Sequence, residues 1–320
     1  MAVQDSDAQF GAQVKALVAN IEQVVFGKHD VVKLCVTGLL ARGHLLIEDV
    51  PGLGKTTLAQ SIARSIDCSF SRIQFTNDML PSDILGVSIL DPATNNFVYR
   101  RGPIFANVVL ADEVNRTPPK TQSALLEAMS EYQVSVDGQP HPLPRPFMVL
   151  ATQNPIEYEG TYTLPESQLD RFLLRTEMGY PPTEDELRIM RRRDSIRAIH
   201  DLKPVLHAED LIRLQDRVAR VRVDESVAQY ILTIVQGTRT HEQVQLGASP
   251  RGSLAYYEAC QAFALVEGRD YVTPGDVKRM AVPVLSHRIL VKSRGADLAA
   301  AARERDRVVH EIVKSIKVPE

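Results

Sequence analysis

The stretch "EDVPGLGKTT", residues 48–57, sets two glycines, a lysine and two threonines between an apolar run and a helix-forming run. Backbone N–H groups gathered just before a helix start can wrap an anion, a lysine there reaches outer phosphates, and a hydroxyl can bind a divalent cation. On this reading Gly52 and Gly54 let the backbone close tightly. Lys55 supplies the charge and Thr56 the hydroxyl for magnesium, while Pro51, Leu53 and Thr57 complete the wall. The usual pattern has glycine six residues before the lysine, where this chain has Asp49. Aspartate also accepts unusual backbone angles at the turn out of a strand, so the departure is tolerable.

Two further strand ends carry matching chemistry. In "NVVLADEVNR" an apolar strand ends in Asp112 and Glu113, one carboxylate for the water shell of magnesium and the next to act as general base on an attacking water. An acidic pair at a strand end is common alone; behind a phosphate loop it reads as catalytic. In "VLATQNP" another apolar strand ends in Asn154, whose amide could orient water or touch a γ-phosphate, or simply serve the turn before Pro155.

These residues need a sheet to hold them. Apolar runs at 44–48, 70–75, 107–112, 147–152 and 171–178 read as strands, separated by helical patterns such as "KTTLAQSIARSI" and "PPKTQSALLEAMSEY". The runs around Leu45, Val108 and Val149 are apolar on successive residues, as strands covered on both faces require. Alternation of strand and helix predicts an α/β fold with a parallel sheet flanked by helices. After Pro181 and Pro182 the patterns are helical only, around 208–221, 225–240, 250–265, 274–285 and 296–316. We therefore divide the chain into an α/β core, 1–180, and an all-α domain, 181–320. Residues 85–106 show a hairpin signature, and 133–147 alternate prolines after the turn dipeptide Asp137-Gly138, which forbids helix and suits a partly unpaired arm. Both should project from the sheet edge.

Composition narrows the classes. A formal net charge of −3 over 320 residues weighs against a dedicated nucleic-acid binder. Cys35, Cys68 and Cys260 are far apart, making a disulfide framework unlikely, and the eight histidines show no metal-ligand spacing. The N-terminus lacks the features of a signal peptide, and no stretch reaches the ~18 apolar residues of a membrane span. The expectation is a cytoplasmic protein. The arginine-dense "RIMRRRDSIRAIH" reads as a solvated helix face, and His44 and His287 as structural residues.

The stretches "LLIEDVPGLGKTTLA", "LADEVNRTPPKTQSALLEAM", "LATQNPIEYEGTYTLPESQLDRFL" and "LGASPRGSLA" resemble the MoxR family of AAA+ ATPases over nearly the full length. The resemblance implies a P-loop NTPase core with a five-stranded parallel sheet, a helical lid, and ATP or ADP with magnesium as cofactors. It implies that Val25, Phe26 and Gly27 line the adenine pocket and that Asn154 is sensor 1. The 85–106 hairpin would be the helix-2 insert and 133–147 the hairpin before sensor 1. Arg171 is placed like an arginine finger reaching into a neighbouring subunit, and Arg251 like sensor 2, aimed by an N-cap at Ser249 with Pro250 following. Read without the family, Arg171 could pair with Asp170 or Glu166, and Arg251 could be a solvated helix residue. Arg175 and Arg116 are rivals for the finger. The family further implies a homo-oligomer, a hexameric ring, that remodels client proteins or enzyme complexes, with a von Willebrand A domain partner on a separate chain. A nucleotide-gated binding module with little turnover, or a DNA-acting or metal-chelatase motor, are the alternatives.

Overall fold

The computed structural model describes residues 2–154, 161–191, 195–292 and 298–319. Its first half runs α1 (Ala2–Glu22), α2 (His29–Leu40), β1 (Leu45–Glu48), α3 (Lys55–Ser65), β2 (Phe70–Gln74), α4 (Pro81–Leu85), β3 (Gly86–Asp91), β4 (Asn96–Arg101), β5 (Val108–Asp112) and α5 (Pro119–Glu131). Then come β6 (Gln133–Val136), β7 (Gln139–Pro142), β8 (Met148–Gln153), α6 (Glu166–Leu169), β9 (Leu174–Thr176), α7 (Thr183–Arg191) and α8 (Ser195–His200). The remainder is α9 (Ala208–Val218), α10 (Glu225–Thr240), β10 (Val244–Leu246), α11 (Pro250–Val266), α12 (Pro274–Leu285), β11 (Leu290–Val291) and α13 (Leu298–Ser315).

Five strands form one parallel sheet in the order β2-β5-β8-β1-β9. Every residue of β1 and β8 is buried, and so are the first four of β5, because helices cover both faces. Register decides the site. Glu48 lies beside Gln153, and Gln74 beside Asp112, so polar residues from four neighbouring strands collect at the C-terminal edge.

One hydrophobic cluster joins α1, α2, α3 and one sheet face to the helices from α9 onward; a second, containing Phe75, Leu125, Met129 and Phe172, fills the other face. The last third is a helical lid with well-capped starts: Asp224 accepts from the Ser226 amide at 2.9 Å, and Thr273 and Asp276 form a reciprocal capping box on α12.

The structure adds three elements the sequence patterns did not show. Helix α1 buries Val14, Leu17 and Ile21 in the main core. A short antiparallel ribbon, β10 with β11, interrupts the helices of the lid. The proline-rich arm is a paired hairpin, β6 with β7, from Gln133↔Pro142 to Val136↔Gln139, turning through Asp137 and Gly138 at positive φ. Its prolines fit because a two-stranded ribbon has two free edges. The 85–106 segment is a hairpin too, β3 with β4, and leaves Phe97 76% exposed. Of the helical pattern at 296–316, Ala296 and Asp297 lie outside the described residues, as do Arg192 to Asp194 of the arginine patch. Among the described residues no helix is long and apolar enough to cross a membrane.

Candidate nucleotide site

The chain leaves β1 and turns into α3 through a loop in which Gly52 and Gly54 stand at φ +88° and +89°. A side chain there would be strained, and a Cβ on either would point into open space. That space is a 200 Å³ cavity walled by Pro51, Gly52, Gly54, Lys55 and Thr56 on one side and by Asp112, Glu113 and Asn154 on the other. Strands β1, β5 and β8 thus bring together the residues picked from three separate stretches of sequence. Asp49 also lines the cavity, yet its φ is not positive, so tolerance of an unusual backbone angle does not explain its presence.

Lys55 Nζ donates to the Asp49 carbonyl at 2.8 Å. Burial pushes its pKa below the usual lysine value, against the pull of Asp112, Asp49 and Glu113. Thr56 lines the same cavity. A phosphate chain matches this cradle of amides and a cation, and Thr56 with Asp112 forms a hydroxyl and carboxylate pair suited to magnesium.

The acidic pair is held by neighbours of which the sequence reading singled out only Arg116, and that for another role. Thr152 Oγ1 donates to Asp112 Oδ1 at 2.5 Å and accepts from the Glu113 amide at 2.9 Å. Glu113 itself adopts φ +60°, a region that costs a non-glycine residue on the order of 1–2 kcal/mol and here turns the chain out of β5. Its Oε2 accepts from Gln74 Nε2 at 2.9 Å and from Arg116 Nη1 at 3.0 Å. Asp112 Oδ2 accepts from Arg72 Nη2 at 2.6 Å. The signal for Arg72 and Gln74 was present in the alternation of "FSRIQF", which sends every second side chain to one face.

A second cavity of 380 Å³ shares Gly52 and Gly54 with the first and is lined by Val25, Phe26, Leu53 and Thr57 from the core and by Met178, Tyr180, Pro181 and Ile189 from the segment leading into the lid. It is largely apolar, as an adenine ring requires. The Arg188 guanidinium lies 4.4 Å from the centroid of the Phe26 ring. Gly27 does not line this cavity. Its φ of +67° and the approach of Asp185 and Pro182, 2.6 and 2.7 Å from where a Cβ would stand, make glycine necessary there.

Arg171 and Arg251 stand elsewhere. Both line a 410 Å³ cavity that shares no lining residue with the phosphate or adenine cavities. Arg171 does not pair with Asp170 or Glu166; its Nη1 donates to the Leu126 carbonyl at 2.7 Å and to Ser130 Oγ at 2.8 Å. Asp170 instead joins Arg288 Nε at 2.8 Å and accepts from Ser249 Oγ at 3.2 Å, binding the turn that carries Arg171 to the helix start that carries Arg251. Ser249 caps α11 by accepting from the Gly252 amide, with Pro250 at its first turn. Arg175, 4% exposed, is enclosed by Glu48, Glu177 and Asp306, whose charges outweigh burial and hold its pKa above the usual arginine value. No neighbouring subunit can meet a side chain so enclosed. Arg116 contacts Glu113 of its own chain.

The profile described as "ATPase family associated with various cellular activities (AAA)" matches residues 44–174, and one described as "AAA lid domain" matches 236–297. The chain is 51% identical to the YeaC protein of Bacillus subtilis (strain 168), covering 94% of this chain and 93% of that one. It is 40% identical to Chaperone MoxR1 of Mycobacterium tuberculosis (strain ATCC 25618 / H37Rv), covering 95% and 81%. The crystal structure of a Cytophaga hutchinsonii protein, assigned as an ATPase, superposes with a TM-score of 0.89 at 34% identity over 100% of this chain and 98% of that chain. Core and lid profiles both match, and a MoxR chaperone 40% identical aligns over 95% of this chain: the chain belongs to the MoxR family of AAA+ ATPases.

Proposed function

We propose that this protein is a magnesium-dependent ATPase whose nucleotide cycle moves the lid against the core and so remodels a client protein. The observation that carries it is the single cavity in which Gly52, Gly54, Lys55 and Thr56 face Asp112, Glu113 and Asn154. Thr56 and Asp112 would hold magnesium, which when bound neutralises charge on the β- and γ-phosphates. Lys55 binds the outer phosphates, Glu113 takes a proton from the attacking water, and Asn154 orients that water. The adenine ring is held by Val25 and Phe26, with Gly27 letting the lid approach, and by the entry to the lid at Tyr180 and Pro181. Because that cavity has walls from both domains, occupancy and lid position are linked.

Arg171 and Arg251 share one cavity, apart from the site of their own chain. Their place supports a role on the nucleotide of a neighbouring subunit, in a ring, with Arg171 as finger in preference to Arg175 and Arg116. The name of the mycobacterial relative supports a chaperone role; a hexamer and a von Willebrand A domain partner rest on family resemblance.

A second reading is a nucleotide-gated module with little turnover. The grip of Gln74 and Arg116 on Glu113 favours it, since both donors occupy the Oε2 atom that would otherwise face an attacking water. The substitution Glu113→Gln separates the two. For a motor, wild type hydrolyses ATP steadily, and the variant binds it with hydrolysis reduced ~100-fold or more. Equal, negligible rates in both would discard the motor.

A further inference from the structure

Asp49 stands where the usual phosphate loop has glycine, and its backbone does not need glycine. Its side chain is fully engaged. Oδ1 accepts from the Val50 amide at 2.8 Å, and Oδ2 from the amide of Gly179 at 2.6 Å. Its carbonyl holds Lys55 Nζ, and its own amide donates to the Gln153 carbonyl at 3.0 Å on the strand that leads to Asn154. Gly179, at φ +61°, opens the Gly-Tyr-Pro-Pro segment through which the chain passes from the sheet to α7. Tyr180 and Pro181 of that segment line the adenine cavity.

Other contacts follow the same route. Lys28, buried, lies in the fields of both Asp49 and Asp185 of α7; burial lowers its pKa, and the two carboxylates pull against that shift. Glu48, one residue before Asp49, pairs with Arg175, which donates to Asp306 on α13 at 3.0 Å. Two adjacent carboxylates at the stem of the phosphate loop therefore reach toward the lid, one at Gly179 and one through Arg175 to α13, and glycine can do neither.

We propose that Asp49 is a positioning residue that ties the phosphate loop to the hinge of the lid at Gly179, so that lid closure over bound nucleotide is transmitted to Lys55. The proposal rests on the reading of the protein as an ATPase with a moving lid. It makes the loop's departure from the usual pattern a coupling device: a strong, charge-assisted bond from the loop stem to the Gly179 amide, where the chain leaves the sheet for α7.

The substitution Asp49→Gly, which restores the usual pattern, is the test, with Asp49→Asn as the isosteric control that keeps one acceptor for the Gly179 amide. The measurements are affinity for a fluorescent ATP analogue, steady-state hydrolysis, and hydrogen exchange of the peptide containing Gly179 with and without nucleotide. For Asp49→Gly we expect affinity within about threefold of wild type, kcat lower by ~10-fold or more, and faster exchange at Gly179 that nucleotide no longer slows. Asp49→Asn should recover most of kcat. Hydrolysis by Asp49→Gly at the wild-type rate, unaltered exchange at Gly179, or loss of binding in proportion to loss of kcat would each overturn the proposal. Should wild type itself fail to hydrolyse ATP, the reading as an ATPase falls, while exchange at Gly179 in the two variants still decides whether Asp49 holds the hinge.

Discussion

The phosphate cavity and the arginine cavity are both charged and open, yet they are built on opposite plans. The first is assembled from the ends of adjacent strands, and its shape is set by backbone: two glycines in the left-handed region and the start of α3. The second is assembled from the end of α2, α5, the turn after α6, the end of α9 and α11, and its Arg171 is held by Leu126 and Ser130 of its own chain. A cavity shaped by backbone is complete within one chain. On the function proposed above, the first binds nucleotide, and the second, which presents arginines with no phosphate cradle facing them, serves the nucleotide of a neighbouring subunit.

The sharpest way to break this contrast is to damage each cavity and then mix subunits. Lys55→Ala and Arg171→Ala should each lower hydrolysis by ~100-fold or more. Mixed with Glu113→Gln subunits, Arg171→Ala should regain activity, because its intact site can face an intact arginine, while Lys55→Ala should not. Hydrolysis assays on the mixtures decide it. Equal recovery, or none in either, would remove the distinction between a site that acts within its chain and one that acts across chains.

A smaller effect tests what supports the wall of the arginine cavity. His44 lines it and is fully buried, with Nε2 donating to the Met129 carbonyl and Nδ1 accepting from the Val149 amide, both at 3.0 Å. Burial lowers its pKa to about 4, against a pull from the Met129 bond, and a second proton would meet the Val149 N–H head on. The folded state therefore refuses a proton that the unfolded chain accepts. This contribution to stability is fully present above the ordinary value near 6.5 and is lost as pH falls toward 4, by about 3 kcal/mol in all. Denaturant titrations at several pH values on wild type and His44→Gln should show a steeper acid loss in wild type; parallel curves would show that the wall does not depend on neutral His44.

The smallest effect lies in the phosphate cavity. Arg72 is half exposed and holds Asp112, so the pair is worth no more than about 1 kcal/mol. Replacing Arg72 with alanine should free Asp112 and tighten magnesium binding in the presence of nucleotide by about two- to fivefold. Titration of magnesium against hydrolysis or a fluorescent nucleotide would show it, and weaker binding would mean that Arg72 helps to hold phosphate.

Much of the phosphate site was legible in the chain because its parts are local. "PGLGKTT" specifies a turn and a helix start over a few residues, and "VVLAD" specifies a strand buried on both faces with a carboxylate at its end. The five strand runs and the hairpin at 85–106 follow from periodicity. Helix α1 and the ribbon of β10 with β11 do not, since strands of three and two residues carry no period and a mixed polar opening hides the buried stripe of Val14, Leu17 and Ile21. Thr152 was equally silent: a threonine in an apolar strand is ordinary until register sets it beside Asp112.

By itself, the order of residues determined which groups would leave the strand ends and begin the helices, because backbone conformation depends on near neighbours. Only the folded chain decided which arginine is enclosed, which faces a cavity, and which carboxylate reaches the hinge. Arg116, Arg171 and Arg175 have the same chemistry, and contacts such as Arg175 with Asp306 or Asp49 with Gly179 span more than a hundred residues. At such separations burial and direction are set by how sheet and lid pack together, and no local pattern encodes them.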